Sequence, residues 1–437
     1  MGISNLQKTG MAGVIAAALL NTASAYGEPL TALLPELLKS HNLTQAAEAD
    51  LKAAQERIRA SMGGWYPQLS VTAHYGHEEQ NKPTGTDDTN LVARNLTISV
   101  TQLLWDFDLT NSTVRAARVA REQVNATLEA ARQNVQLRGI VSYLNVLRAA
   151  EIVEFARRSE SNIKHQADLE DARVERGAGF STDVLQAKTQ LAGAQARLVQ
   201  AQGALRVARN AYRAMFYKDA GDIGQMVRPV LPVDMLPATV EEAVVSAQRN
   251  NPSLLVAKLS AEASSEVIIQ TRASGFYPRI DAVGTLTYKD DDGGTVGSQN
   301  ESIGKVQVSW PFNLGLTAVN SVRAAEGDYL ATQKRYADAR ELIEEQTRNA
   351  WENLKTATEN AELLKNQANI AAEFLELARK EQQLGRRSLL DVLAGETTLV
   401  NASSDAASAE TDVSIAVFSL LAAMGVLDDR IATRLDG

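Results

Sequence analysis

Cysteine is absent from the 437-residue chain, which excludes disulfides, thiolate metal sites and cysteine nucleophiles. Aromatic residues amount to only 5%, low for a chain that folds around a compact core. A basic surplus is missing too: 44 Lys+Arg stand against 53 Asp+Glu, whereas a nucleic-acid surface normally carries excess Lys and Arg. Past the N-terminus no run of some 18 apolar residues occurs, so no transmembrane helix is expected. The nearest candidate, 413–427, falls inside a helical packing seam. No nucleophile, base and orienting acid come together, and Gly177-Ala178-Gly179 lacks the third glycine and preceding strand of a dinucleotide fold. The sequence therefore reads as neither an enzyme nor a cofactor binder.

What the chain does have is a heptad rhythm, written twice. Val184, Ala187, Leu191, Ala194, Leu198, Ala201, Leu205, Ala208, Tyr212 and Met215 alternate in steps of three and four. The positions 208 residues later are Val392, Gly395, Leu399, Ala402, Ala406, Ala409, Val413, Ala416, Leu420 and Ala423, again all small or apolar. A seam averaging 3.5 residues packs a helix along its whole length. Two copies mark a tandem duplication.

The rest of each half repeats as well. Gly64-Trp65-Tyr66-Pro67 returns as Gly275-Phe276-Tyr277-Pro278, and alternating segments follow both. The predicted strands run over about 67–76 and 95–104 in the first half, and about 278–288 and 303–312 in the second, with polar, turn-rich segments at 76–94 and 289–302 between the pairs. Each pair leads into a helical hairpin, about 108–216 and 316–424. At ~1.5 Å per residue, the 65 to 70 residues of each long helix extend about 100 Å, too far for a compact globule. Residues 1–25 read as a secretory signal peptide, with Lys8, an apolar run over 11–20 and Ala23-Ser24-Ala25 at the cleavage site. No cysteine follows for lipidation. The first repeat then spans 26–216, a Gly- and Pro-bearing linker 217–238, the second repeat 239–427 and a tail 428–437.

Alternation alone also fits a soluble sheet with one wet face. Three features favour a membrane barrel: export, strand length near that needed to cross a bilayer, and aromatics at strand ends. Trp65, Tyr66, Trp105, Phe276, Tyr277 and Trp310 suit an interfacial girdle. Four strands cannot close a barrel, and an open edge is excluded from lipid; strands in the membrane would have to be shared among copies.

Duplicated strand pairs, paired long helices and a signal peptide resemble the TolC family of outer-membrane efflux and secretion channels, over nearly the whole mature chain. The most specific local likeness lies in the hairpin turns, 177–185 and 385–393. The resemblance implies a mainly α fold with a membrane β-barrel part, in which a homotrimer builds a twelve-stranded barrel continuing into a periplasmic α-helical barrel. It implies an outer-membrane location and a passive duct for type I protein secretion, the missing lipidation cysteine leaning away from the drug-efflux members that carry one. Multidrug or small-molecule efflux is the alternative, and a periplasmic coiled-coil scaffold a reading of a different class. The implied partners are a periplasmic adaptor (membrane fusion) protein, an inner-membrane ABC or proton-driven transporter, outer-membrane lipid and the exported cargo.

By the same resemblance Asp183, Arg387 and Asp391 belong to a periplasmic gate, although Ala394 and Gln382 depart from the family's pattern. As a plain structural alternative, an acidic residue such as Asp183 suits a helix N-terminus. Gly177, Gly179, Phe180, Ser181, Thr182, Gly385, Ser388, Leu389 and Leu390 would receive the adaptor, or the apolar ones among them would merely staple the two helices together. His74, His77, Glu78 and Glu79, and the run Asp290-Asp291-Asp292, read as solvated loop residues rather than metal ligands. No metal or cofactor is expected.

Overall fold

Helices of unusual length dominate the computed structural model, which describes residues 29–428 apart from Thr86, Gly179 and Asn313. The expected signal peptide, the tail beyond Asp428 and the docking candidate Gly179 lie outside the described residues. The first half runs α1 (Leu30–Ser40), α2 (Asn42–Met62), β1 (Gln68–Gln80), β2 (Thr89–Trp105), α3 (Leu109–Glu175) and α4 (Ser181–Phe216). The second runs α5 (Val240–Asn250), α6 (Pro252–Phe276), β3 (Arg279–Asp290), β4 (Ser298–Ser309), α7 (Thr317–Gln383) and α8 (Leu389–Ala423). Helices α3 and α7 have 67 residues each, about 100 Å at the α-helical rise.

The heptad positions do the packing. Val184, Ala187, Ala194, Ala201, Tyr212 and Met215 of α4 are buried, as are Val392, Gly395, Ala402, Ala409 and Leu420 of α8. Alanine at so many of these positions lets the helix pairs α3–α4 and α7–α8 lie close. Helix α8 is long and apolar enough to cross a bilayer, but half of its apolar window is buried in the fold, and Val417, Phe418 and Leu421 belong to the main core.

That core forms a belt midway along the helices. Leu33, Leu34 and Leu37 of α1 meet Ile140, Tyr143 and Leu144 of α3, Phe216 of α4 and Phe418 of α8. The linker closes over it, the Tyr143 hydroxyl donating to the Val227 carbonyl at 3.0 Å. Gly139 is where α1 crosses α3: a Cβ there would meet Leu37 Cδ2 at 2.5 Å.

The strands form one antiparallel sheet, ordered β1-β2-β3-β4. Its register sorts the side chains by face. Leu69, Val71 and Ala73 lie opposite Val100, Ile98 and Leu96, which lie opposite Gly284, Leu286 and Tyr288; Val306 and Val308 continue the same face. The other face carries Ser70, Thr72 and His74, then Ser99, Thr97 and Asn95, then Thr285, Thr287 and Lys289. A sheet in water hides its apolar face and wets the other. Here the apolar face is bare, with Leu69 at 67% and Val306 at 65% exposure, which suits lipid outside and water inside.

Four strand limits need correction. β1 and β2 continue through His77–Gln80 paired with Thr89–Val92, inside the segment read as loop, and β4 begins at Ser298 rather than near 303. Backbone pairing continues there although β1 and β4 turn polar on both faces and β2 carries Leu91 and Val92 side by side on opposite faces, so alternation fails before the hydrogen bonds do. β4 also stops at Ser309, because Pro311 cannot donate to a ladder; Trp310 lies just past the strand.

Gly139→Val should force Leu37 aside and loosen the α1–α3 crossing, costing about 1–3 kcal/mol as overpacking does. Thermal denaturation of the purified protein should show a lower midpoint, with the strands' circular dichroism signal unchanged at low temperature.

Candidate functional site

The two hairpin turns are built alike. Gly177 (φ +76°) and Gly385 (φ +70°) take the left-handed conformation that ends a helix. Gly177 N–H donates to Val174 O and Ala178 N–H to Arg173 O, both at 2.9 Å, and the second turn repeats this with Gly385 on Gln382 and Arg386 on Glu381. The returning helices then begin differently. The Ser388 hydroxyl caps α8 by accepting the Asp391 N–H at 3.2 Å. Phe180, 208 positions earlier, holds the equivalent place before α4 and provides no side-chain cap. Asp183 therefore lies in the first turn, where its charge suits the helix dipole, without being the cap.

Asp183 and Arg387 come together along one cleft of about 430 Å3 between the turns, with Glu170, Gln382, Ser388 and Leu390 on its walls. Arg387 is already engaged within its own hairpin: Nε donates to Glu381 at 2.7 Å, and the guanidinium lies 5.2 Å from the centre of the Phe374 ring. Asp391 is exposed and does not line this cleft.

The docking candidates divide by burial. Phe180 is 75% exposed and Leu390 44%, and Gly177, Ser181, Thr182, Gly385 and Ser388 also face solvent. Leu389 is half-buried and packs against the cluster of Ile163, Ala167, Ala187 and Leu393, which joins its helix to the first repeat's hairpin. Sequence reasoning missed Leu185 and Leu384, which are exposed beside the turns. It also missed Glu396, buried at 3% exposure within α8. Glu396 pairs with Arg379 of α7 and accepts from Asn162 of α3 at 3.4 Å, tying three helices together above the tips. Its signal was faint: one acidic residue in an otherwise small and apolar seam.

At the other end, the girdle candidates gather where all four strands meet helices. Tyr66, Trp105, Phe276, Tyr277 and Trp310 are exposed, and Trp65 is half-buried. Phe107, which follows Trp105, stacks on Tyr277 with ring centres 5.1 Å apart, and Trp310 Nε1 donates to Phe276 O at 3.1 Å. Phe107 and Asp108 both have positive φ, a strained elbow between β2 and α3. It is held by Arg115, which reaches Asp108 at 2.7 Å and Glu266 of α6 at 3.0 Å. The same guanidinium keeps the Asp108 carboxyl below the usual carboxylate range.

The sequence model of the family described as "Outer membrane efflux protein" matches residues 33–216 and again 243–426. The chain is 24% identical to the outer membrane efflux protein BepC of Brucella suis, over 94% of this chain and 88% of that protein. It is also 24% identical to the outer membrane protein TolC of Escherichia coli, over 91% and 80%. A more distant relative is the alkaline protease secretion protein AprF of Pseudomonas aeruginosa, 25% identical over 68% and 62%. Among solved structures, the outer membrane protein VceC of Vibrio cholerae superposes with a TM-score of 0.76 at 18% identity, covering 91% of this chain and 96% of that one.

Arg379→Ala should leave the Glu396 carboxylate buried with Asn162 as its remaining partner. The expected cost is about 1–3 kcal/mol, confined to the tips. Hydrogen exchange should quicken in α8 near Glu396 while the equatorial belt keeps its protection.

Proposed function

The chain belongs to the outer membrane efflux protein family, and we propose that three copies of this outer-membrane channel protein join head to tail into one exit duct across the outer membrane and the periplasm. Its helical part lies in the periplasm. The observation that carries the assembly is the sheet: its apolar face is bare, and its edges β1 and β4 have no neighbouring strand among the described residues. Unpaired backbone groups in hydrocarbon cost several kcal/mol each, so β4 of one copy pairs with β1 of the next. Three is the number implied by the family resemblance, and gives twelve strands.

The duplication supplies a template for that seam. Across the junction of the two repeats β2 pairs with β3, and α6 packs on α3. The hairpins correspond at 211 residues from β1 to β3 and 208 from β2 to β4. Carrying the β2–β3 register across the seam puts Val308 opposite Ala73, and Val306 opposite Tyr75, of the next copy. Apolar side chains then meet on the lipid face.

The hairpin turns form the periplasmic entrance. Exposed Phe180 and Leu390, presented by the turns at Gly177 and Gly385, receive the hairpin tips of a periplasmic adaptor, which links the duct to an inner-membrane ABC or proton-driven transporter. Asp391, repeated around the axis, favours cations at the mouth. Asp183 and Arg387 take part in closing it, and Arg387 must exchange Glu381 for a neighbouring hairpin to do so. The duct is passive, and a partner provides the energy.

For cargo, the reading is type I protein secretion, supported by the likeness to a protease-secretion protein and by the absence of cysteine. Small-molecule efflux is the second reading, favoured by the likeness to an efflux protein over nearly the full chain. Deleting the gene and comparing the secreted proteome with drug susceptibility decides between them: lost secreted proteins at unchanged susceptibility support secretion, and the converse supports efflux.

Because the chain has no cysteine of its own, Val308→Cys with Ala73→Cys should give oxidant-dependent cross-linked oligomers, and Val308→Cys with Leu69→Cys should not. Equal cross-linking of both pairs, or monomers throughout, would remove the proposed seam. In planar bilayers Asp391→Asn should lower cation preference; unchanged selectivity would remove its role at the mouth. Leu390→Asp should abolish export and adaptor cross-linking while leaving outer-membrane assembly intact.

A further inference from the structure

The polar run between β3 and β4 does not stand free in solvent. We propose that the tip of this loop, Asp292 to Gly294, is clasped onto the lumen wall of its own protomer and narrows the outer mouth of the duct. This rests on the channel reading above, which makes the polar face of the sheet the wall of a water-filled bore.

The contacts are specific and reach across the sheet. Asp292 Oδ2 accepts from Asn95 Nδ2 of β2 at 2.7 Å, and Oδ1 lies 3.1 Å from His74 Nε2 of β1. Glu78 of β1 accepts the Gly293 N–H at 2.9 Å. Lys82, in the turn after β1, donates to Gly294 O at 2.8 Å. His74, Asn95 and Glu78 all lie on the polar face of the sheet, alternating with the lipid-facing Ala73, Leu96 and His77. A loop bonded to these side chains lies inside the bore rather than beside the barrel.

The loop is shaped for this. Its base is closed by Asp291 and Gly297, which exchange Asp291 N–H to Gly297 O at 3.1 Å and Gly297 N–H to Asp291 Oδ1 at 2.8 Å. Gly293 and Gly294 have positive φ, which lets the chain fold inward just past Asp292. Of the three consecutive aspartates, Asp290 pairs with Arg94 at 3.4 Å, Asp291 closes the base, and only Asp292 holds the wall. Its side chain is 15% exposed, low for a carboxylate at a loop tip, and the hydrogen bonds from Asn95 and His74 keep that carboxyl below the usual range. The clasp is therefore an anion held by a neutral amide and an imidazole.

Other charged groups on the polar face are Glu78 of β1, Arg279, Asp281 and Lys289 of β3, and Glu301 and Lys305 of β4, with Lys289 pairing with Glu301 at 3.5 Å. Lys82 lies in the turn after β1, and His77, Glu79, Arg94 and Asp290 lie on the opposite face.

The test uses the cysteine-free background. Ser99→Cys places one thiol on the polar face below the clasp, and intact cells are labelled from outside with a small and with a bulky membrane-impermeant maleimide. Asp292→Asn should raise the ratio of bulky to small labelling rates about tenfold, the weight of one charge-assisted hydrogen bond, whereas Asp290→Asn should leave it unchanged. An unchanged ratio in Asp292→Asn, or an equal response to Asp290→Asn, overturns the clasp and leaves the channel standing. A thiol that neither reagent reaches in cells, though both reach it in detergent, overturns the bore itself.

Discussion

A backbone in hydrocarbon must find all its hydrogen-bond partners within protein, and the architecture of this chain follows from how it meets that demand. Four strands satisfy one another in the middle of the sheet and leave two rows of N–H and C=O groups at β1 and β4. The apolar face needs lipid, and lipid forbids the open edges. A polypeptide with one such sheet is incomplete by itself, and in the proposed assembly its internal duplication contains the solution: the pairing that joins the first repeat to the second also joins the second to the first of another copy.

The helices extend the same logic into water. There the backbone is satisfied within each helix, and the difficulty shifts to holding rods of about 100 Å in a fixed register without a globular centre. Three devices do this at separate heights. The strained elbow pinned by Arg115 fixes α3 and α6 under the sheet, the leucine-rich belt around α1 fixes the middle, and the Glu396 pairings fix the tips. Between them the alanine seams allow close approach with little side-chain bulk, which explains how a chain with 5% aromatic residues packs at all.

The sites proposed for function then lie at the two ends, where regular structure stops. The turns at Gly177 and Gly385 expose apolar side chains that a soluble monomer would hide, and the loop at Asp292 folds back onto polar wall residues. Both ends are built from short polar or glycine-bearing segments whose conformation the long elements do not dictate. Such segments are free to differ among relatives that share the same tube.

Duplication, helix lengths, the sidedness of the strands and the likeness to outer-membrane channels were all legible in the residues, because heptad and period-2 patterns are local and repeat many times. The upper parts of β1, β2 and β4 were not, since pairing there is carried by backbone groups while β1 and β4 turn polar on both faces and Leu91 and Val92 break the alternation of β2. Leu389 and Leu390 are adjacent and identical in type, yet Leu389 is half-buried against the cluster of Ile163 and Ala167 on another helix while Leu390 stays exposed. The role of Asp292 within Asp290-Asp291-Asp292 was equally hidden, because its partners lie some 200 residues away in sequence. The chain alone thus determined which elements form and how they repeat. Tertiary structure decided which side chains are left over, since that depends on neighbours brought together by the fold and not on any pattern within one segment.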